Sequence, residues 1–97
     1  MPKGYWIAHV DVDNLDEYKK YVEASGVAFQ KYGGKALARG GQSRVLEGAG
    51  RARNVIWEFP TYQAALDCYN SPEYQHARGF RLGHSTGDFT LVEGMDS

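Results

Sequence analysis

The stretch from Asn54 to Tyr74, Asn-Val-Ile-Trp-Glu-Phe-Pro-Thr-Tyr-Gln-Ala-Ala-Leu-Asp-Cys-Tyr-Asn-Ser-Pro-Glu-Tyr, admits few folds. Asn54 to Phe59 alternates and is rich in β-branched and aromatic residues, which predicts a strand. Pro60 has no N–H to give a ladder, so the strand stops there. Thr61 fits a helix N-cap, because its hydroxyl can accept an orphan amide of the first turn. Tyr62, Ala65, Leu66 and Tyr69 then recur at helical spacing and predict one buried stripe. Asn70-Ser71-Pro72 ends that helix and starts another, with Ser71 as N-cap and Pro72 at the first helical position. A strand that feeds a helix packing back on its own sheet is the centre of an α+β fold.

The rest of the chain supplies the partners. Tyr5 to Val12 predicts a strand with Trp6, Ala8, Val10 and Val12 on one face and Tyr5, Ile7, His9 and Asp11 on the other. Asn14 and Glu17 resemble a capping box. They open a helix from Leu15 to about Tyr32, striped by Leu15, Tyr18, Val22, Ser25 and Phe29 with Tyr21 and Ala28 beside them. Gly26 weakens its middle turn, and Gly33-Gly34 supplies a left-handed stop. Lys35 to Glu47 predicts a strand bent at Gly40-Gly41, and Gly48 to Ala52 a hairpin loop. The helix from Pro72 is expected to reach Arg78 and fray at Gly79. Phe80 to Gly87 reads as loop, and Asp88 to Glu93 as the last strand. The order β-α-β-β-α-β is ferredoxin-like: a four-stranded antiparallel sheet with both long helices on one face.

A chain of 97 residues is expected to form a single domain, residues 1–97. Two helices cover only one sheet face. The other, of roughly 300 Å², would lie in water, and a second copy is the simplest cover. A homodimer burying about 1,200–2,000 Å² is therefore expected. Net charge is −1 and Lys and Arg are scattered, which argues against a nucleic-acid surface. There is no apolar run of membrane-spanning length and no secretory pattern at the start. Lone Cys68 has no internal disulfide partner, which fits a cytoplasmic location, and packing is its expected role.

The residues that could carry chemistry are few. Glu58 and His9 sit on the less apolar strand face and are the candidates for moving a proton. Arg39 and Arg81 are candidates for holding a small organic anion. Tyr5, Tyr69, Ser71 and Tyr74 are candidate lining residues. Glu58 needs a partner if buried, and Arg39 is the expected one, with His9 the alternative. Structural pairing of these same groups is the competing account. Ser71 has no His or Asp at a nucleophile's spacing, and His9, His76 and His84 lack a ligand spacing, so no metal site is expected.

These residues resemble the small bacterial proteins grouped as domain-of-unknown-function family 1330. The matching segments are Gly4-Tyr-Trp-Ile-Ala, Lys31-Tyr-Gly-Gly-Lys, Leu37-Ala-Arg-Gly-Gly, Val45-Leu-Glu-Gly, Glu58-Phe-Pro-Thr-Tyr, Ala65-Leu, Tyr69-Asn-Ser-Pro-Glu-Tyr and Val92-Glu-Gly. The resemblance spans nearly the whole chain and implies a ferredoxin-like protomer of the dimeric α+β barrel superfamily. That superfamily includes small monooxygenases, muconolactone isomerases and haem proteins, many of which hold an organic ligand between sheet and helices. No axial haem ligand is assigned, so a cofactor-free protein is expected. Arg39, Glu58, Ser71, Tyr74 and Arg81 fall on positions the family tends to keep. The chain departs from its relatives at Arg78-Gly79-Phe80, where they read as continuous helix. Two functions remain open: a small-molecule enzyme of monooxygenase or isomerase type, or a non-catalytic dimeric binding or stress-associated protein.

Overall fold

The computed structural model describes residues 2–95. Seven elements follow one another: β1 (Gly4–Val12), α1 (Leu15–Lys31), β2 (Lys35–Arg39), β3 (Arg53–Phe59), α2 (Tyr62–Asn70), α3 (Pro72–Arg81) and β4 (Ser85–Glu93). The strands form one sheet in the order β2-β3-β1-β4, and every neighbouring pair is antiparallel. This is the ferredoxin-like α+β arrangement that the sequence predicts.

Trp6 shows why all the helices lie on one side. Its ring meets Phe29 of α1 at 5.1 Å, Tyr69 of α2 at 5.7 Å and Tyr74 of α3 at 4.9 Å. Its Nε1 donates to the Ala65 carbonyl of α2 at 2.9 Å. Ala8, Val10, Val55 and Phe59 share that face and are buried. One sheet layer and one helix layer make a slab only 17 Å thick along its shortest axis. No helix among the described residues is long and apolar enough to cross a membrane.

The local signals act where they were read. Thr61 Oγ1 accepts the Ala64 amide at 3.0 Å, and Ser71 Oγ accepts the Tyr74 amide at 3.1 Å. Asn14 Oδ1 accepts the Glu17 amide at 3.2 Å, but the Glu17 carboxylate turns to Lys20, so only half of the box forms. Gly33, at φ +77°, ends α1. The α1 helix runs unbroken through Gly26, where a Cβ would meet nothing within 4 Å.

Several boundaries and stripes differ. β2 stops at Arg39 rather than Glu47, because Gly40 turns the chain away at φ +71°. The segment 40–52 is irregular. Its Arg51 spans Asp11 at 2.9 Å and Asp88 at 3.1 Å, which ties it to the helix-free face of the sheet. The α3 helix continues past Gly79 to Arg81, and β4 begins at Ser85 rather than Asp88. His76 and Phe80 pack edge to face across that turn, and Arg81 is tied back to Tyr74. These contacts outweigh the roughly 1 kcal/mol helix cost of one glycine. Leu15 is exposed at the start of α1; of the expected α2 stripe Ala65 is buried, Leu66 and Tyr69 are half-buried and Tyr62 is exposed, while Cys68 joins Ala65 in the buried set.

One irregularity sets up the site. Lys35 pairs with Glu58, Ala36 with Trp57, Ala38 with Ile56 and Arg39 with Val55, so Leu37 is the extra residue of a β-bulge. Strict alternation from Lys35 would put Arg39 on the face of Glu58. The bulge puts it on the opposite face, with buried Val55.

Candidate functional site

The helix side of the sheet holds a small cavity of about 50 Å³ between α1 and the strands. Trp6, Phe29, Trp57 and Phe89 give it aromatic walls, Tyr18 and Tyr21 add ring faces with hydroxyls, and Arg39 and Arg53 are its charged residues. The Phe29 and Trp57 rings stack at 3.9 Å with 14° between their planes. Among the described residues no carboxylate or imidazole lines it. It suits flat, electron-rich or anionic molecules, since ring edges and guanidinium groups both present positive charge.

Behind the cavity lies a buried polar chain. Arg81 Nη2 donates to Tyr74 Oη at 3.2 Å, and the Tyr74 and Tyr21 hydroxyls share a hydrogen bond of 2.9 Å. The Arg81 guanidinium also lies over the rings of Phe89, at 4.1 Å, and Tyr21, at 5.3 Å. Burial pushes the Tyr21 phenol well above its ordinary range and the Tyr74 phenol upward too. Both therefore stay protonated at neutral pH and serve as hydrogen-bonding groups, not as bases. Arg81 is engaged by tyrosines on this wall and does not line the cavity.

Tyr69 belongs to a second cleft of about 160 Å³, shared with Trp6, Leu66, Phe89, Thr90 and Leu91. Ser71 is buried, and its hydroxyl donates to the Cys68 carbonyl at 2.7 Å while accepting the Tyr74 amide. It is a cap that fixes the α2–α3 corner. Ser71→Ala is expected to cost about 1–2 kcal/mol in denaturant unfolding. A loss below about 0.3 kcal/mol would remove that role.

The two candidate proton carriers lie on the opposite face. Glu58 accepts from Tyr5 Oη at 3.2 Å and pairs with Lys3 at 3.4 Å. Neither Arg39 nor His9, its expected partners, reaches it: the bulge turns Arg39 away, and His9 sits beside Asn54. Tyr5, opposite Glu58, is four residues from His9, about 13 Å along the strand. His9 Nδ1 instead meets Asn54 Oδ1, at a groove of about 810 Å³ under the 40–52 segment. Nearby, the Asp11 carboxyl is held below its usual range by the Ala52 amide and Arg51. Among the described residues no group of three or more His, Cys, Asp or Glu converges as a metal site.

The sequence thus splits into two sets. Arg39, Tyr74 and Arg81 gather at or behind the helix-side cavity, whereas Glu58, His9 and Tyr5 lie beyond the sheet. Arg53, Trp57 and Phe29 were not read as site residues. Arg53 and Trp57 share the alternation of Val55 and Phe59, so a charged residue on an apolar face was the available signal.

The fold is similar to that of several solved structures. A protein of unknown function from Rhodopseudomonas palustris matches with a TM-score of 0.79 at 18% identity, covering 99% of this chain and 85% of that one. SnoaB, a cofactor-independent oxygenase from Streptomyces nogalater, matches with a TM-score of 0.66 at 11% identity, covering 100% and 97%. A Nitrosomonas europaea protein, provisionally assigned as an antibiotic biosynthesis monooxygenase, matches with a TM-score of 0.60 at 14% identity, covering 99% and 100%. At these identities the likeness is one of fold. Comparison with curated proteins gives no match. The family profile described as Domain of unknown function (DUF1330) matches residues 3–95, and with that match over nearly its whole length the chain belongs to that family.

Proposed function

We propose that the protein is a cofactor-free, single-domain homodimer of the cytoplasm that takes a small aromatic molecule into its helix-side cavity. The observation that carries this reading is the cavity's lining, six aromatic side chains with two arginines and, among the described residues, no acid. Fold likeness to a cofactor-independent oxygenase supports oxygenation as the chemistry. A binding protein without catalysis is the second reading, and a lining without carboxylate or imidazole among the described residues favours it. Turnover there would need a substrate that brings its own acidity.

The dimer reading rests on the helix-free face, where Ile7, Ile56 and Val92 are only half-buried or exposed within one protomer. Facing copies would bury them, and the slab shape makes such stacking simple. Glu58, Tyr5 and Lys3 would then lie within or at the rim of that interface, which favours an assembly role for Glu58 over proton transfer. Glu58→Gln should therefore weaken the dimer in sedimentation while ligand binding per folded protein is kept. A dimer left intact with ligand binding or turnover lost would return Glu58 to the chemistry. Native mass spectrometry of the purified protein tests the main reading: a retained small aromatic compound supports it. A wild type that sediments as a folded monomer at micromolar concentration would remove the dimer.

A further inference from the structure

We propose that the cavity selects planar aromatic acids, with Arg53 and Arg39 as the seat for the carboxylate; this rests on the cavity being an aromatic pocket. Both arginines line it and project from the helix-side face of the sheet. Among the described residues neither meets a carboxylate within 4.0 Å or donates a side-chain hydrogen bond. The ion pairs in that set all engage Lys3, Lys20, Lys31 or Arg51. The Arg53 Nε is fully buried and has no partner among the described residues. A buried N–H left unpaired is costly, so such groups usually have a purpose.

The seat is also built. The Arg53 guanidinium lies over the Tyr18 ring at 5.5 Å, so an aromatic face holds it in place without neutralising it. Gly40 makes room for it: a Cβ there would come 2.4 Å from Nη1. The turn that ends β2 thus accommodates the cation. Arg39 arrives at the same mouth because of the bulge at Leu37. A guanidinium fork fits a carboxylate through two parallel hydrogen bonds, and a second cation nearby strengthens the attraction.

The cavity volume of about 50 Å³ equals three or four waters, enough for a carboxylate and the first ring atoms. Gly26 also lines it, and the space where its Cβ would stand is open, so a ring can extend past α1 toward solvent. The Nε of Arg81 is likewise buried and without a partner among the described residues, but Arg81 makes a poor alternative seat, since it does not line the cavity and its Nη2 is already given to Tyr74.

Benzoate and its neutral counterpart benzamide test this by calorimetric titration of the purified protein. Benzoate should bind about tenfold to a hundredfold tighter, the span of charge-assisted hydrogen bonds. Its affinity, but not that of benzamide, should fall as salt rises. Arg53→Gln should bring the two ligands near parity while leaving benzamide unchanged, and Arg39→Gln should act in the same direction. Arg53→Lys, which keeps the charge but loses the fork, should fall between them and serves if the Gln variant does not fold. Equal binding of benzoate and benzamide by the wild type would overturn the anion seat and leave the aromatic cavity standing. Failure of both compounds to bind at millimolar concentration would overturn the two together.

Discussion

Trp6→Ala is expected to destabilise the protein by about 3–5 kcal/mol, a fall in Tm of roughly 12–40 °C for a domain of this size. Trp6 is the contact shared by every helix. Removing it takes away ring contacts to Phe29, Phe59, Tyr69 and Tyr74 at once. It also leaves the Ala65 carbonyl without its side-chain donor. The hole would open into the adjacent cavity and cleft, both of which Trp6 lines, so collapse can refill little of it. Since small domains are stable by only about 5–15 kcal/mol, much of the native population would be lost. Chemical denaturation, followed by circular dichroism, measures this. A loss below about 1.5 kcal/mol would mean that the sheet and helices are held together elsewhere.

Cys68 is expected to resist thiol reagents until the protein opens. It is fully buried, and burial, aided by the nearby Glu73 carboxylate, pushes its thiol from 9.0 to about 12. That rise alone, three pH units by subtraction, lowers the thiolate fraction at neutral pH roughly a thousandfold. Iodoacetamide should therefore label the native protein at a rate set by opening, and the rate should rise with denaturant in step with unfolding. Labelling in buffer near the rate of a free thiol would refute the burial. The same shift has a pH consequence. Below about pH 9 the thiol is protonated in both states and the native form loses nothing. As pH rises from about 9 toward 12 the unfolded chain ionises first, and stability should fall by about 1.4 kcal/mol per pH unit. Tyr21 and Tyr74, also raised by burial, push in the same direction.

How much of this was legible in the sequence depended on how local the signal is. Thr61, Ser71 and Pro72 act on amides within one turn, so their roles could be read from the chain alone. The same holds for the alternation of Trp6, Ala8 and Val10, and from these the topology follows. Gly79 misled because a glycine's helix cost is also local, whereas what keeps α3 going is Arg81 held by Tyr74 seven residues back. The partners of Glu58 were misread for a related reason. Pairing across a sheet depends on register, and a bulge is set by the fit of two strands, not by either one. Arg53 carries a local signal of its own: a cation in phase with Val55, Trp57 and Phe59.

The bulge at Leu37 makes the allegiance of Arg39 a matter of odd and even. A β2 of the same residues that paired without the bulge would alternate strictly from Lys35 and set Arg39 opposite Asn54. Without any change in its identity, the arginine would leave the compartment of the aromatic rings and join the one that holds His9 and Glu58. Deleting Leu37 would not do this, because it would remove the bulge and leave Arg39 opposite Val55; it is the pairing, not the strand's composition, that assigns the charge to its side of the sheet. In related chains, the β3 residue that the arginine faces, more than its presence, would tell which side it serves.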